Sequence, residues 1–204
     1  FGNNGISGKG NSKYEGNSNC KTSYSYSGEV YNDVFYTTAY YERAVVAIRA
    51  SDGRCLNKYN LGGNPYNMTM DGKKMYVGGS FGFKIIDVNS GSITNCNVSS
   101  NLRLSYGTSV DAGAIYSYKN NRIYRFPLNQ SGGCPATSGG SFRYSEGNYV
   151  GLQSVGGNKM WTLSWSQSRM KKIQMNPSGS SHSVLATKGS RSMSGSSASK
   201  LYFY

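Results

Sequence analysis

Proton transfer, nucleophilic attack and metal binding all need convergent His, Cys, Asp or Glu side chains, and this sequence of 204 residues is short of them. It has one histidine, His182, and nine acidic residues. Asp33, Asp52, Asp71 and Asp111 stand in turn-like contexts, where an Asp side chain accepts from nearby backbone N–H groups. Glu15, Glu29, Glu42, Asp87 and Glu146 are scattered. A glycosidase-type pair would need two carboxylates flanking one bond, and only a fold that converged Glu42 or Glu146 on another acid would supply it. The expected catalytic set is therefore empty. No spacing suits a metal site and no motif suits a cofactor, so neither is expected.

Charge offers a different chemistry. The 22 Lys and Arg against 9 Asp and Glu leave a formal net charge of +13. The cations are dispersed, with only Lys73-Lys74 and Lys171-Lys172 adjacent, so no polybasic tail or specific nucleic-acid motif is present. Aromatics make up 13% of the chain and run along its whole length, which excludes the low-hydrophobicity class of disordered chains. No stretch approaches the ~18 apolar residues of a membrane span.

What positions these groups is a repeat. An aromatic preceded by a turn and an aliphatic residue recurs at Phe35, Tyr76, Tyr116, Trp161 and Tyr202, at intervals of 41, 40, 45 and 41 residues. A period of ~40–45 residues with four strands per unit is that of a β-propeller blade. The second copy shows the internal grammar: Tyr66 to Met70, Lys74 to Gly79, Gly82 to Val88 and Ser92 to Val98, separated by Asp71-Gly72-Lys73 and Asn89-Ser90-Gly91. Alternation within strands, as in Arg122-Ile123-Tyr124-Arg125-Phe126, agrees. The third copy places its fourth strand at Cys134 to Ser138. The sequence thus predicts an all-β, five-bladed β-propeller of four-stranded antiparallel blades in one domain over 1–204. The blades span about 21–61, 66–98, 104–138, 149–186, and 191–204 joined by 1–20, the last closed by strands from both termini. The repeated aromatics, with Met75, Met160 and Met175, are expected to pack between blades.

The run Gly63-Asn64-Pro65-Tyr66, Asp71-Gly72-Lys73-Lys74-Met75-Tyr76-Val77 and Ile86-Asp87-Val88-Asn89-Ser90-Gly91 resembles the YVTN-type, YncE-like propeller repeat of secreted and surface-layer proteins. The match is specific over about one blade; the third, fourth and fifth copies keep only the aromatic. The resemblance implies the fold and a leaning toward extracytoplasmic recognition, and the fold itself hosts many unrelated activities.

Strand order puts the link between second and third strands, and the link between blades, on one face. That face would carry Tyr40, Tyr41, Arg43, Phe81, Arg103, Lys119, Arg122, Arg143, Tyr144, Trp165 and Arg169 as a ligand-binding surface of aromatic platforms and guanidinium forks. Cys20, Cys55, Cys96 and Cys134 lie 35, 41 and 38 residues apart, each placed by the repeat near a fourth strand. Equivalent positions on neighbouring blades would be on the order of 24 Å apart, beyond the ~7 Å reach of a disulfide. Intramolecular pairing is therefore not expected. The four thiols are either semi-buried and inert or intermolecular cross-linkers.

The sequence begins at Phe1 with a polar run to Asn19 and no apolar signal segment, as in a processed or excised chain. Together these features predict a non-enzymatic recognition module, extracellular or at the cell surface with the periplasm as alternative, that binds a protein or an anionic or glycan surface for adhesion or assembly. The rival readings are a lectin with repeated sites, a self-assembling subunit of a surface layer or filament, and a glycan-active enzyme. Asn67, Asn97 and Asn129 each head an N-glycosylation sequon.

Overall fold

Tight turns set the strands. Asn32-Asp33 (φ 48° and 59°), Ala112-Gly113 (46° and 70°), Asn120-Asn121 (52° and 57°) and Gly157-Asn158 (62° and 58°) all have both central residues at positive φ. That is the two-residue turn whose twist matches paired strands, and Asn, Asp and Gly adopt it most readily. The structure is a computed structural model, described for residues 20–22, 24–105, 107–129, 133–147, 150–164, 167 and 169–189.

The turns fold the chain into four antiparallel meanders, each a four-stranded sheet. The first holds β1 (Gly28–Tyr31), β2 (Val34–Ala39), β3 (Ala44–Arg49) and β4 (Cys55–Asn60). The second holds β5 (Pro65–Asp71), β6 (Lys74–Gly79), β7 (Gly82–Asp87) and β8 (Ile93–Cys96). A short helix, α1 (Ser100–Arg103), follows, capped by the Ser99 side chain on the Asn101 N–H. The third sheet holds β9 (Gly107–Asp111), β10 (Ala114–Lys119), β11 (Arg122–Pro127) and β12 (Ser141–Arg143). The fourth holds β13 (Val150–Gly156), β14 (Lys159–Ser164), β15 (Arg169–Met175) and β16 (His182–Gly189).

The chain divides after Thr94 into two compact units. In the first, Tyr36, Val45, Ala47, Tyr59, Leu61, Met68, Met75, Val77 and Ile86 form one core between the first two sheets. In the second, Tyr116, Tyr118, Ile123, Phe142, Tyr144, Leu152, Met160, Ile173 and Met175 do the same between the last two. Sheet faces approach closely enough that a Cβ on Gly107 would stand 2.0 Å from the Val150 carbonyl oxygen, so β9 accepts only glycine there. Polar stitches fix the sheet pairs: Ser27 Oγ donates to Met68 O (2.9 Å) in the first unit, and Asn158 N to Asp111 Oδ2 (2.8 Å) in the second. Of the repeat residues, Met75 lies in the first core and Tyr116, Met160 and Met175 in the second, and Tyr76 is fully buried; Phe35 and Trp161 are only partly buried, and Tyr202 lies outside the described residues.

Three expectations need correction. The structure shows four blades where the repeat count predicted five; the fifth copy, 191–204 with 1–20, lies outside the described residues except for Cys20. The fourth strand of the third blade is Ser141–Arg143, not Cys134 to Ser138, because a longer link follows β11 and is pinned by the Leu128–Pro135 bridge. That link also overturns the expectation for the cysteines. Cys20 pairs with Cys55 and Cys96 with Cys134, both at a Cα separation of 5.6 Å, and no thiol is free. The separation argument assumed four equivalent strand positions. Instead Cys134 sits in the link, and Cys20 precedes β1 and lies against β3 and β4, its Sγ near Ala47 O and Asn57 O. Intermolecular thiol cross-linking by Cys20, Cys55, Cys96 or Cys134 therefore falls. Of the sequons, Asn67 is buried and its Oδ1 accepts from Gly78 N, so that side chain is unavailable to a glycan in the folded chain.

Each disulfide closes a loop about one repeat long, of 35 and 38 residues. Cys20→Ser with Cys55→Ser should therefore lower the free energy of unfolding in urea by about 3–4 kcal/mol. Alkylation of the unreduced, denatured protein should add no label by intact mass. Labelling before reduction, or disulfide-linked dimers on a non-reducing gel, would contradict the pairing.

Candidate functional site

The surface feature that stands out in the first unit is a cluster of tyrosines. The chain enters β1 in an extended segment that runs beside β2: Tyr40 N donates to Tyr24 O (2.8 Å) and Thr38 N to Ser27 O (2.9 Å). Ser25 Oγ bonds Thr37 Oγ1 of β2, and the Tyr26 and Ser27 N–H groups both donate to Thr38 Oγ1 (3.0 and 3.1 Å), which ties the segment to β2. The Tyr24 and Tyr26 rings pack against Tyr40, at the β2–β3 turn, and Tyr26 also meets Tyr66 in β5. Tyr40 is the hub, with ring centroids 5.0 Å from Tyr41, 5.4 Å from Tyr26, 5.8 Å from Tyr66 and 6.2 Å from Tyr24. Most of these contacts are edge-to-face, the geometry favoured by ring quadrupoles. Tyr41 is 68% exposed and Tyr24 47%, so the cluster presents ring faces to solvent over a packed base.

Of the residues expected on this face, Tyr40 and Tyr41 form the cluster and Arg43 is exposed in the same turn, at φ 53°. Phe81 lies in the β6–β7 turn but packs against the core of the first unit, with Lys84 Nζ 5.5 Å over its ring. In the second unit, Arg103 ends α1, Lys119 ends β10, Arg122 begins β11 and Arg143 ends β12. Tyr144 is buried and its hydroxyl bonds Thr162 Oγ1, so it serves the core rather than a surface. Trp165 lies outside the described residues. Arg169 is held by Glu146, through Nε to Oε2 (2.8 Å) and Nη2 to Oε1 (3.3 Å). The residues missed were Tyr24, Tyr26 and Tyr66, whose approach to Tyr40 comes from tertiary packing rather than from a local sequence pattern.

Glu146 is a buried carboxylate with two cationic partners: besides Arg169, Lys171 Nζ donates to Oε1. Burial alone would raise its carboxyl, but hydrogen bonds from Arg169 and Lys171 overcome this and hold it below the usual range. A carboxylate so neutralised is a structural anchor, not a general base or nucleophile. His182 opens β16 half-buried, stacked on Phe142 at 4.6 Å with Tyr144 edge-on at 5.3 Å. Burial, with Lys171 nearby, lowers its imidazole from the ordinary value against the pull of Glu146. Asp87, left over by the sequence reading, is a turn cap: its Oδ1 accepts from Ser90 N and Asn89 N (3.1 Å each) while Lys74 and Lys73 pair with Oδ2. Those bonds, Ser90's first, hold its carboxyl far below the usual range. Among the described residues no three His, Cys, Asp or Glu side chains could share a metal ion, and no helix is long and apolar enough to cross a membrane.

No protein-family model matches the chain, and no curated protein matches its sequence. Its backbone is nevertheless similar to solved propellers. A structure of U3-55K superposes with TM-score 0.52 at 13% identity, covering 75% of this chain and 48% of that one. The RRP9 WD40 repeats give 0.51 at 13% identity, with 75% and 47% covered. The dihydro-heme d1 dehydrogenase NirN, in complex with DHE, gives 0.51 at 11% identity, with 81% and 37% covered. The chain spans less than half the length of each. At these identities the likeness establishes the fold, a β-propeller of four-stranded blades, and no activity.

Glu146→Gln should cost about 2–3 kcal/mol at pH 7, because it leaves Arg169 and Lys171 against a neutral amide. The native carboxyl lies below its unfolded value, so its stabilisation is complete above the unfolded pKa near 4.3 and is lost as pH falls through the folded value. Urea midpoints measured from about pH 6 to 3 should fall steeply for the parent and less steeply for the variant; parallel curves would refute the assignment.

Proposed function

We propose that the chain is a non-enzymatic recognition module, one domain over residues 1–204, that works in an extracytoplasmic compartment and binds a protein or glycan surface through its loop-bearing face. The observation that carries this reading is the exposed tyrosine cluster. Rings held edge-to-face on a hydrogen-bonded base lose little conformational freedom on binding, and an exposed phenol offers both an apolar face and a hydrogen-bonding tip. Such platforms stack on sugar rings and on partner side chains alike. The two disulfides suit an oxidising compartment. The YVTN-like run over residues 63–91 leans the same way.

The lectin alternative with one site per blade is weaker, because Tyr40's place after the second strand is taken by Ser80 in the second blade and Asn120 in the third, so two of the four blades lack the aromatic; in the fourth it is Trp165, outside the described residues. The enzyme alternative required Glu42 or Glu146 to meet a second carboxylate, and Glu146 is held by two cations. Thiol-linked assembly has no free thiol to use.

A glycan array read at low and high salt, with immobilised extracellular proteins beside it, tests the reading. Tyr41→Ala should weaken the captured ligand about tenfold while Tyr41→Phe retains most binding. Because Tyr41 is 68% exposed, stability should stay within about 0.5 kcal/mol. Binding indifferent to Tyr41→Ala would remove the cluster from the site.

A further inference from the structure

Strand register in the third blade lines up three cations. The β10–β11 hairpin, closed by Asn120-Asn121, sets Lys119 opposite Arg122, and the β11–β12 pairing sets Arg122 opposite Arg143. Lys119, Arg122 and Arg143 thus form one row across three neighbouring strands, with a strand spacing of about 4.8 Å. Directly opposed like charges destabilise a sheet.

The other blades show that the fold does not ask for this row. Its counterpart is Ala39, Ala44 and Asn60 in the first blade, Gly79 and Gly82 in the second, and Ser164, Arg169 and Gly189 in the fourth. Where a cation does occupy the row, at Arg169, a carboxylate neutralises it. In the third blade the donors reach only neutral oxygens. Arg122 Nε and Nη2 donate to Ser141 Oγ (3.3 and 3.1 Å), Arg143 Nε to Ser145 Oγ (3.2 Å), and Lys119 Nζ to Ser100 O (3.1 Å). Eight of the nine acidic residues are among the described ones, all but Glu15, and none of the eight pairs with Lys119, Arg122 or Arg143. Arg122 and Arg143 are exposed. Partial burial and the nearby Arg103 charge already lower the Lys119 ammonium, a mark of crowding without a counter-ion.

We propose that the Lys119–Arg122–Arg143 row is a binding site for an acidic polysaccharide, each cation meeting one sulfate or carboxylate of a chain laid across the strands. The row suits a regularly charged linear polymer: its positions are evenly spaced, and a pyranose chain advances by a step similar to the strand spacing. Guanidinium groups bind such oxyanions in bidentate fashion, and Ser141 and Ser145 hold the two forks in place. This inference deepens the recognition reading and rests on it, but it uses only residues of the second unit.

The test compares dextran sulfate, uncharged dextran and poly-glutamate as ligands of the intact, disulfide-bonded protein by calorimetry. Arg122→Gln with Arg143→Gln should weaken dextran sulfate binding at least tenfold. Arg54→Gln with Lys159→Gln, which removes the same charge at exposed positions elsewhere, should change it less than threefold. Relief of the repulsion should also leave the unliganded double variant as stable as the parent or raise its Tm by about 1–3 °C at low salt, which excludes misfolding as the cause. Equal losses in the two double variants would mean diffuse charge and overturn the site. Loss of poly-glutamate but not dextran sulfate binding would make the ligand an acidic peptide and overturn the polysaccharide. Failure of Tyr41→Ala to affect any ligand, with the row effects intact, would remove the tyrosine site alone.

Discussion

The inner strands of the blades are shielded from water on both faces, while the outer strands are largely exposed. Met75 to Gly79 in β6 and Ala114 to Tyr118 in β10 are buried without a break, so alternation of inward and outward side chains does not divide these strands into a core side and a solvent side. Such a sheet is stable only when stacked against another, and the rest of the structure follows from that need. It explains why Met, Tyr and small residues recur where sheets meet, why Gly107 must lack a side chain, and why polar atoms such as Asp111 and Ser109 bond across to the next blade. It also pushes recognition chemistry outward, to the turns and strand ends that stacking leaves uncovered.

With so few acids, their placement decides which cations remain available. Asp87 takes Lys73 and Lys74, Glu146 takes Arg169 and Lys171, and Asp52 takes Arg49 while accepting from the Arg54 N–H. Each of these acids closes a turn or anchors a strand, and none of them serves Lys119, Arg122 or Arg143 at the strand ends of the third blade. The electrostatic character of the third blade is thus a remainder of how the other blades are held together.

The period and the turns were legible because they are written locally. Asn-Asp, Asn-Asn, Ala-Gly and Gly-Asn pairs flanked by alternating residues fix a hairpin within a handful of positions, and β6, β10 and β15 have the bounds their sequences imply. What failed was whatever depended on a departure from the repeat. The link after β11 moves the fourth strand of that blade from Cys134 to Ser141, and the same insertion brings Cys134 to Cys96, a pairing that a strict period forbids. The site was half visible for a related reason. Arg122 and Arg143 could be assigned to one face from strand order, but their direct opposition depends on where β12 begins, which the insertion hid.

The disulfides have a mechanical side. A chain drawn out by its ends lengthens by up to about 3.4 Å for every residue released. The loops closed by Cys20–Cys55 and Cys96–Cys134 withhold their residues from that extension, together roughly 250 Å of slack, for as long as the bonds persist. Under shear, two blades of such a protein can be torn open without the tether growing by the length of their chains. A chain so built would stay short even while partly unravelled, and the redox state of its surroundings would set its reach.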